Sequence, residues 1–266
     1  MRRNLPIIAA VLALSGLAVP ALAAEHEAIP HQSWSFAGPF GTFDQASLQR
    51  GYKVYREVCG TCHTANLLSF RNLGEKYGPF WDEKYPNPND NPYVKAIAAD
   101  FDIKMIDEET GDADAERKGT PADRFPDPFP NEYAARASTG GALPPDLSLI
   151  VKAREGGANY VYALLTGFEE APAGVKLEKN MSYNKYFPGH QIAMKPPLTL
   201  DKVTFDDGTK STVAQQAKDV TTFLAWASEP KQIERKRVGM WVMIYLIGLA
   251  ALAYASYRRV WKNESH

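Results

Sequence analysis

Cysteine is almost missing from this chain: two of its 266 residues, Cys59 and Cys62, and only five histidines accompany them. Two thiols cannot make a disulfide framework. Two cysteines with five scattered histidines also make a four-ligand zinc site strained. A basic excess is missing too. The formal net charge is −1, and between Ala24 and Pro230 there are 29 acidic against 21 basic side chains, a net of −8. That balance argues against nucleic acid and suits a basic protein partner. There is no internal repeat, and long uncharged apolar runs occur only near the two ends.

The first of these runs follows Arg2 and Arg3: Leu5 to Val19 is apolar but short for a bilayer, and Ala21-Leu22-Ala23 offers small residues at a cleavage site. This pattern is a secretory signal over residues 1–23, rather than an uncleaved anchor, with Ala24 an alternative end point. The second run, Val238 to Tyr257, holds 20 residues without a charge. At about 1.5 Å per residue it spans about 30 Å, the thickness of the hydrocarbon core. Trp241, Tyr254, Tyr257 and Trp261 stand near its ends, where aromatic belts form. Lys231, Arg235, Lys236 and Arg237 precede the span and Arg258, Arg259 and Lys262 follow it, so the charge rule leans slightly against an exported body. The signal decides the other way. The sequence divides into a leader (1–23), an exported domain (24–230) and an anchor (231–266) spanning about 238–257.

The cysteines lie in Cys59-Gly-Thr-Cys62-His63. A small disulfide is the plain reading for exported thiols, though so short a loop stabilises little. A redox pair has the same spacing, but nothing nearby reads as a βαβ unit. Cys-x-x-Cys-His instead matches covalent attachment of one haem c: two thiols one turn apart take the vinyl groups and His63 becomes the proximal iron ligand. The rivals at this level are a haem-free structural subunit holding a small disulfide and a membrane-anchored monohaem cytochrome feeding another terminal oxidase or reductase.

Local patterning fits a helical haem core. Gly41 to Asp44 reads as a turn and cap, and Leu48, Tyr52, Tyr55 and Cys59 share one face of a helix from about Gln45 to Val58. Val213, Ala217, Val220, Phe223, Leu224 and Ala227 mark a second amphipathic helix ending before Pro230. Gly51 would let the two cross closely, or is simply a residue that weakens its helix. A sixth iron ligand has six candidates: His26 and His31 in a loose leading segment, Met105 in a charged stretch, Met181, His190 and Met194. Two prolines stiffen the chain after Met194, yet a methionine beside prolines also serves as core filling, and His190 remains its main rival.

Between Phe70 and Asn131, prolines at 79, 86, 88, 92, 121, 126, 128 and 130 exclude long helices across those positions. A short helix around Tyr93 to Phe101 is expected inside an insertion that decorates the core. Asp107, Glu108, Glu109, Asp112, Asp114 and Glu116 form either a solvated loop or a surface that steers a basic acceptor.

The blocks "FDQASLQRGYKVYREVCGTCH", "GALPPDLSLIVKAREGG", "YVYALLTGF", "YNKYFPGHQIAMKPPL", "FDDGT" and "AKDVTTFLAWASEP", followed by the anchor, resemble the cytochrome c1 family in content and order. The resemblance implies a mainly α fold: a c-type cytochrome haem core with long loop insertions plus one C-terminal transmembrane helix. It implies His63 and Met194 as iron ligands, Pro145 and Ile150 packed on the haem, and a carbonyl of Pro144-Pro145 orienting the His63 ring. Arg154 would pair with a propionate, and Tyr160, Leu164, Phe187 and Ile192 would line the rest of the pocket. Without the resemblance, these would read as a surface arginine and ordinary core residues. Implied partners are cytochrome b, a Rieske iron–sulfur protein and a soluble cytochrome c, in a dimeric complex. The implied place is a bacterial inner membrane, with the haem domain in the periplasm and the C-terminus in the cytoplasm. Two features depart from the family: Lys195 follows Met194 where a small residue or proline is usual, and an extra cysteine pair found in some relatives is missing.

Overall fold

A computed structural model describes residues 27–106 and 115–263. The leader read over 1–23, His26 and all of the acidic cluster but Glu116 lie outside the described residues. The fold is mainly helical, with six α-helices and two small two-stranded sheets among these residues.

Helix α1 (Gln45–Glu57) starts where the Asp44 carboxylate accepts from the Ser47 N–H at 2.8 Å. Helix α5 (Val213–Ser228) starts at Thr212, whose hydroxyl accepts from the Gln215 N–H. The two helices cross at Gly51, where an added Cβ would come within 2.8 Å of Phe223 Cβ and closer to the Asp219 backbone. The glycine is therefore a packing requirement, not only a weak helix former. Beside the crossing, Arg50 donates through Nε to Asp219 at 2.7 Å and through Nη1 to Asp207 at 2.6 Å. The Asp219 side chain is fully buried and also accepts from Gln215 Nε2 at 2.8 Å. Buried charge is thus paired and hydrogen-bonded, as its desolvation requires.

Helix α2 (Pro92–Ala99) is capped by Asn91, which accepts from the Tyr93 and Val94 N–H groups. It leads into strand β1 (Asp102–Met105), antiparallel to β2 (Ala115–Lys118). The middle of the chain is more than decoration: Phe70, Leu73, Val94, Ala98 and Phe125 belong to the same buried core as Val54, Phe223 and Trp226. Helix α3 (Glu132–Ser138) is short and peripheral, whereas α4 (Gly157–Thr166) packs on α5. The segment before α1 is fastened to α4, because the Trp34 Nε1–H and the Gln32 N–H both donate to Asn159 Oδ1, at 2.8 and 3.1 Å. Strands β3 (Ser182–Tyr183) and β4 (Gln191–Ile192) form a second hairpin beyond α4.

Helix α6 (Gln232–Val260) runs 29 residues, with a mean hydropathy of 2.0 in its most apolar stretch and none of that stretch buried. Its length and composition suit a membrane crossing. Three of the cations at its root are committed to the body of the domain. Lys231 pairs with Glu75 at 3.0 Å, Arg235 pairs with Glu229, and Lys236 Nζ donates to the Phe36 carbonyl at 2.6 Å.

Candidate functional site

The end of α1 delivers Cys59 to a 3₁₀ turn, Cys59–Thr61, in which the Cys62 and His63 N–H groups both donate to the Cys59 carbonyl, at 3.1 and 2.9 Å. One turn therefore presents both thiols and the imidazole. The cysteines are unpaired; Cys62 is exposed and Cys59 half-buried against the main core. Burial, then the neighbouring Cys62, pushes the Cys59 thiol up to about 12. Both sulfurs are free to form thioethers.

The Pro145 carbonyl lies 2.8 Å from His63 Nδ1. A carbonyl only accepts, so Nδ1 carries the proton and Nε2 keeps its lone pair. Burial pushes the His63 ring below the usual histidine range, against the opposing pull of the Pro145 carbonyl. A neutral imidazole with a free Nε2 and its other nitrogen held by a carbonyl is what iron ligation needs. The donor set therefore fits a c-type haem.

Loop 144–154 carries Pro145, Ile150 and Arg154. Ile150 packs half-buried on the main core. Arg154 is exposed, and its only side-chain hydrogen bond among the described residues goes to the Ala153 carbonyl, with no carboxylate paired to the guanidinium among them. Tyr160 and Leu164 come from α4, the first buried and the second half-buried. Burial raises the Tyr160 hydroxyl, against the opposing charge of Arg154.

Phe187, Ile192 and Met194 come from the β3–β4 hairpin and its exit, all half-buried. The hairpin is bolted to α4 by Asn184, which is fully buried. Its Nδ2 donates to the Leu164 carbonyl at 2.7 Å, satisfying a last-turn carbonyl of α4, and its Oδ1 accepts from the Tyr186 N–H at 3.1 Å. Lys185 N–H adds a bond to the Gly167 carbonyl at 3.1 Å. Met194 is strung between β4 and Leu198, which is buried in the main core. His190 occupies the turn of the hairpin with a left-handed φ of 58°, stacked on Tyr183 at 5.7 Å, and its buried Nδ1 has no hydrogen-bond partner among the described residues. Met105 sits on the exposed β1 strand, and His31 is exposed in the leading segment.

Asn184 and Asp146 were not singled out from the sequence. Asp146 Oδ2 accepts from Thr64 Oγ1 at 2.8 Å and from the Asn66 N–H at 2.7 Å, while Oδ1 accepts from the Ser148 N–H at 2.8 Å. Burial pushes this carboxyl up, but the donors at Ser148, Asn66 and Thr64 outweigh it and hold it below its ordinary value. The only signal for either residue was its position inside a block shared with the family.

A model of the cytochrome c1 family matches residues 34–264. "Cytochrome b/c1" of Bradyrhizobium diazoefficiens is 49% identical over 254 residues, covering 88% of this chain and 36% of that protein. The chain thus spans little more than a third of that relative's length. "Cytochrome c1, heme protein, mitochondrial" of Kluyveromyces lactis is 48% identical over 233 residues, with 87% of this chain and 76% of the relative covered. "Cytochrome c1" of Blastochloris viridis is 40% identical over 273 residues, covering 96% and 94%. With its two thiols and imidazole on one turn and a match running into the apolar helix, the chain belongs to the cytochrome c1 family.

Proposed function

We propose that the chain is the electron-transfer subunit of a quinol–cytochrome c oxidoreductase, passing one electron at a time from a Rieske iron–sulfur protein to a soluble cytochrome c. The observation that carries this reading is the His63 Nδ1 to Pro145 carbonyl bond beside two unpaired thiols on the same turn. Cys59 and Cys62 would hold the haem through two thioethers, and His63 Nε2 would ligate its iron. Bound haem supplies a one-electron carrier that cycles between ferric and ferrous iron.

Met194 is the sixth ligand in this reading. Its approach is rigid on both sides, through the Asn184 bolt upstream and buried Leu198 downstream. His190 instead spends its backbone on the hairpin turn and its ring on Tyr183. Arg154, free of any carboxylate, takes a propionate by a charge-assisted contact. Pro145, Ile150, Tyr160, Leu164, Phe187 and Ile192 exclude water from the ring. The chain transforms no substrate by itself; quinol oxidation belongs to the assembled enzyme.

Residues 1–23 act as the export signal, 24–230 as the haem domain and 231–266 as the anchor, in a single-pass bacterial inner-membrane protein with a cytoplasmic C-terminus. The cations before the span lean against this orientation, but Lys231, Arg235 and Lys236 have partners in the body of the domain, which supports leaving them out of the charge rule. Cytochrome b is the membrane partner, a pairing supported by the "Cytochrome b/c1" name of one relative, and the complex is dimeric. The net of −8 over 24–230 supports a basic acceptor.

The test is a reduced-minus-oxidised spectrum of the protein purified in mild detergent from its native membranes, with a haem stain after denaturing electrophoresis. A covalent c-type haem accompanied by b-type haem, reducible by quinol, is expected. A c-type band alone would move the chain to another respiratory branch, and no covalent haem would overturn the reading.

A further inference from the structure

We propose that Asp146 is a positioning residue for the iron ligand: its carboxylate clasps residues 64–66 to the 145–148 loop and so sets how firmly the Pro145 carbonyl holds the His63 ring. The inference rests on the haem ligation proposed above.

Two strips of chain, 63–67 and 145–148, run side by side. At one end His63 Nδ1–H donates to the Pro145 carbonyl at 2.8 Å. Next, the Leu147 N–H donates to the Thr64 carbonyl at 2.8 Å. At the far end the Leu67 N–H donates to Ser148 Oγ at 3.1 Å, and Ser148 is fully buried. Asp146 is the carboxylate of the clasp and divides its oxygens between the strips, while the Arg124 guanidinium donates to the Asn66 carbonyl from outside them. Oδ2 takes the Thr64 hydroxyl and the Asn66 N–H, and Oδ1 takes the Ser148 N–H of its own strip. The loop needs such a pin at that point. Pro144 and Pro145 have no N–H, so neither can anchor the carbonyl through its own nitrogen. The donors and acceptors that hold it begin at Asp146.

The functional link is the tautomer. A short, well-aimed bond from Nδ1–H to a carbonyl makes Nε2 a stronger donor, and a stronger imidazole donor favours ferric iron. Loosening the clasp lets the Pro145 carbonyl drift, weakens that bond and tips the couple toward ferrous. Charge acts in the same direction, because the nearby anion also favours ferric iron. Positioning and charge must therefore be separated.

Thr64→Val removes one bond of the clasp and leaves the carboxylate in place, Thr64→Ser restores the hydroxyl, and Asp146→Asn removes charge and bond together. Each full-length variant is titrated potentiometrically in its native membranes at the c-type band, after covalent haem is checked on a denaturing gel. At a fixed ambient potential, Thr64→Val should raise the ferrous-to-ferric ratio by about threefold or more, Thr64→Ser should match the unmodified protein, and Asp146→Asn should shift at least as far as Thr64→Val. Exchange of the His63 Nδ1 proton in the reduced protein, followed by NMR with labelled histidine, should quicken in Thr64→Val and not in Thr64→Ser. A haem-loaded Thr64→Val with an unchanged ratio overturns the inference, and so does a shift seen in Asp146→Asn alone, which would be charge without positioning. If Asp146→Asn yields no haem protein, the two Thr64 variants decide. Absence of covalent haem from the unmodified chain would instead sink the proposed function, a separate result.

Discussion

Gly51 and Asp219 meet backbone to backbone where α1 crosses α5: a Cβ on residue 51 would stand 2.7 Å from the Asp219 carbonyl carbon and nearer still to its oxygen. No rotamer relieves that clash, because the obstacle is main chain. Gly51→Ala should therefore cost about 1–3 kcal/mol by overpacking, despite alanine's better helix propensity. Chemical unfolding of the detergent-solubilised protein measures it; an alanine variant as stable as the parent would show that the helices can separate cheaply.

Beside that crossing, Arg50 is the cation that keeps the buried Asp219 carboxylate compensated. Arg50→Met leaves Asp219 with only the Gln215 donor and should destabilise by about 3 kcal/mol or more. A double variant that also replaces Asp219 with Asn should recover part of the loss, because no buried charge is then stranded. Equal loss in the single and double variants would contradict this account.

Several carboxylates are held below their ordinary range. Asp207 lies at about 2, through the Thr209 N–H and then Arg50. Glu229 is pushed up by burial but lowered further by Arg235 and Lys152. A depressed carboxylate stabilises the fold above its unfolded value and loses that contribution as pH falls toward its folded value. Their ordinary values are 3.8 and 4.5. The unfolding temperature should therefore hold steady from neutral pH to about 5 and fall between about 4.5 and 2. A thermal melt series checks this, and a flat profile across that window would contradict it.

On the proposed ligation, Met194→Leu should lower the reduction potential while leaving the haem attached, since a thioether ligand would favour ferrous iron and the covalent links do not depend on it. Potentiometry with a haem-stained gel gives both readings at once. An unchanged potential would move the sixth ligand to His190 or elsewhere.

Asn184→Ala removes a buried amide that holds the β3–β4 hairpin on α4. It should cost about 1–3 kcal/mol by stranding the Leu164 carbonyl and the Tyr186 N–H. The same variant should weaken the thioether–iron charge-transfer band, because Met194 hangs from that hairpin. Loss of stability with an intact band would mean that Met194 is placed by Leu198 alone.

Helices α1 and α5 were legible because each has a side-chain cap and a sustained apolar face, and the CGTCH spacing announced the attachment turn. Helix α4 was harder to see. It begins at Gly156, in a left-handed conformation with φ 80°, and no side chain caps it, so the usual start signal is missing. Strands β3 and β4 have two residues each, too few for any period to register. The prolines between Phe70 and Asn131 marked turns correctly but said nothing about Phe70, Leu73 or Val94 reaching the central core. The Asp146 clasp joins residues some eighty positions apart, and local patterning carries no trace of such a contact.

Only Glu229, Pro230 and Lys231 separate the end of α5 from the start of α6, and that junction is lashed down from several directions. Lys231 reaches Glu75, Glu229 takes both Arg235 and Lys152, and Lys236 grips the carbonyls of Phe36 and Gly41. A helix rooted this way behaves as a mast stepped into the hull rather than a tether. The bearing of α6 is then tied to that of α5 and of the segment before α1.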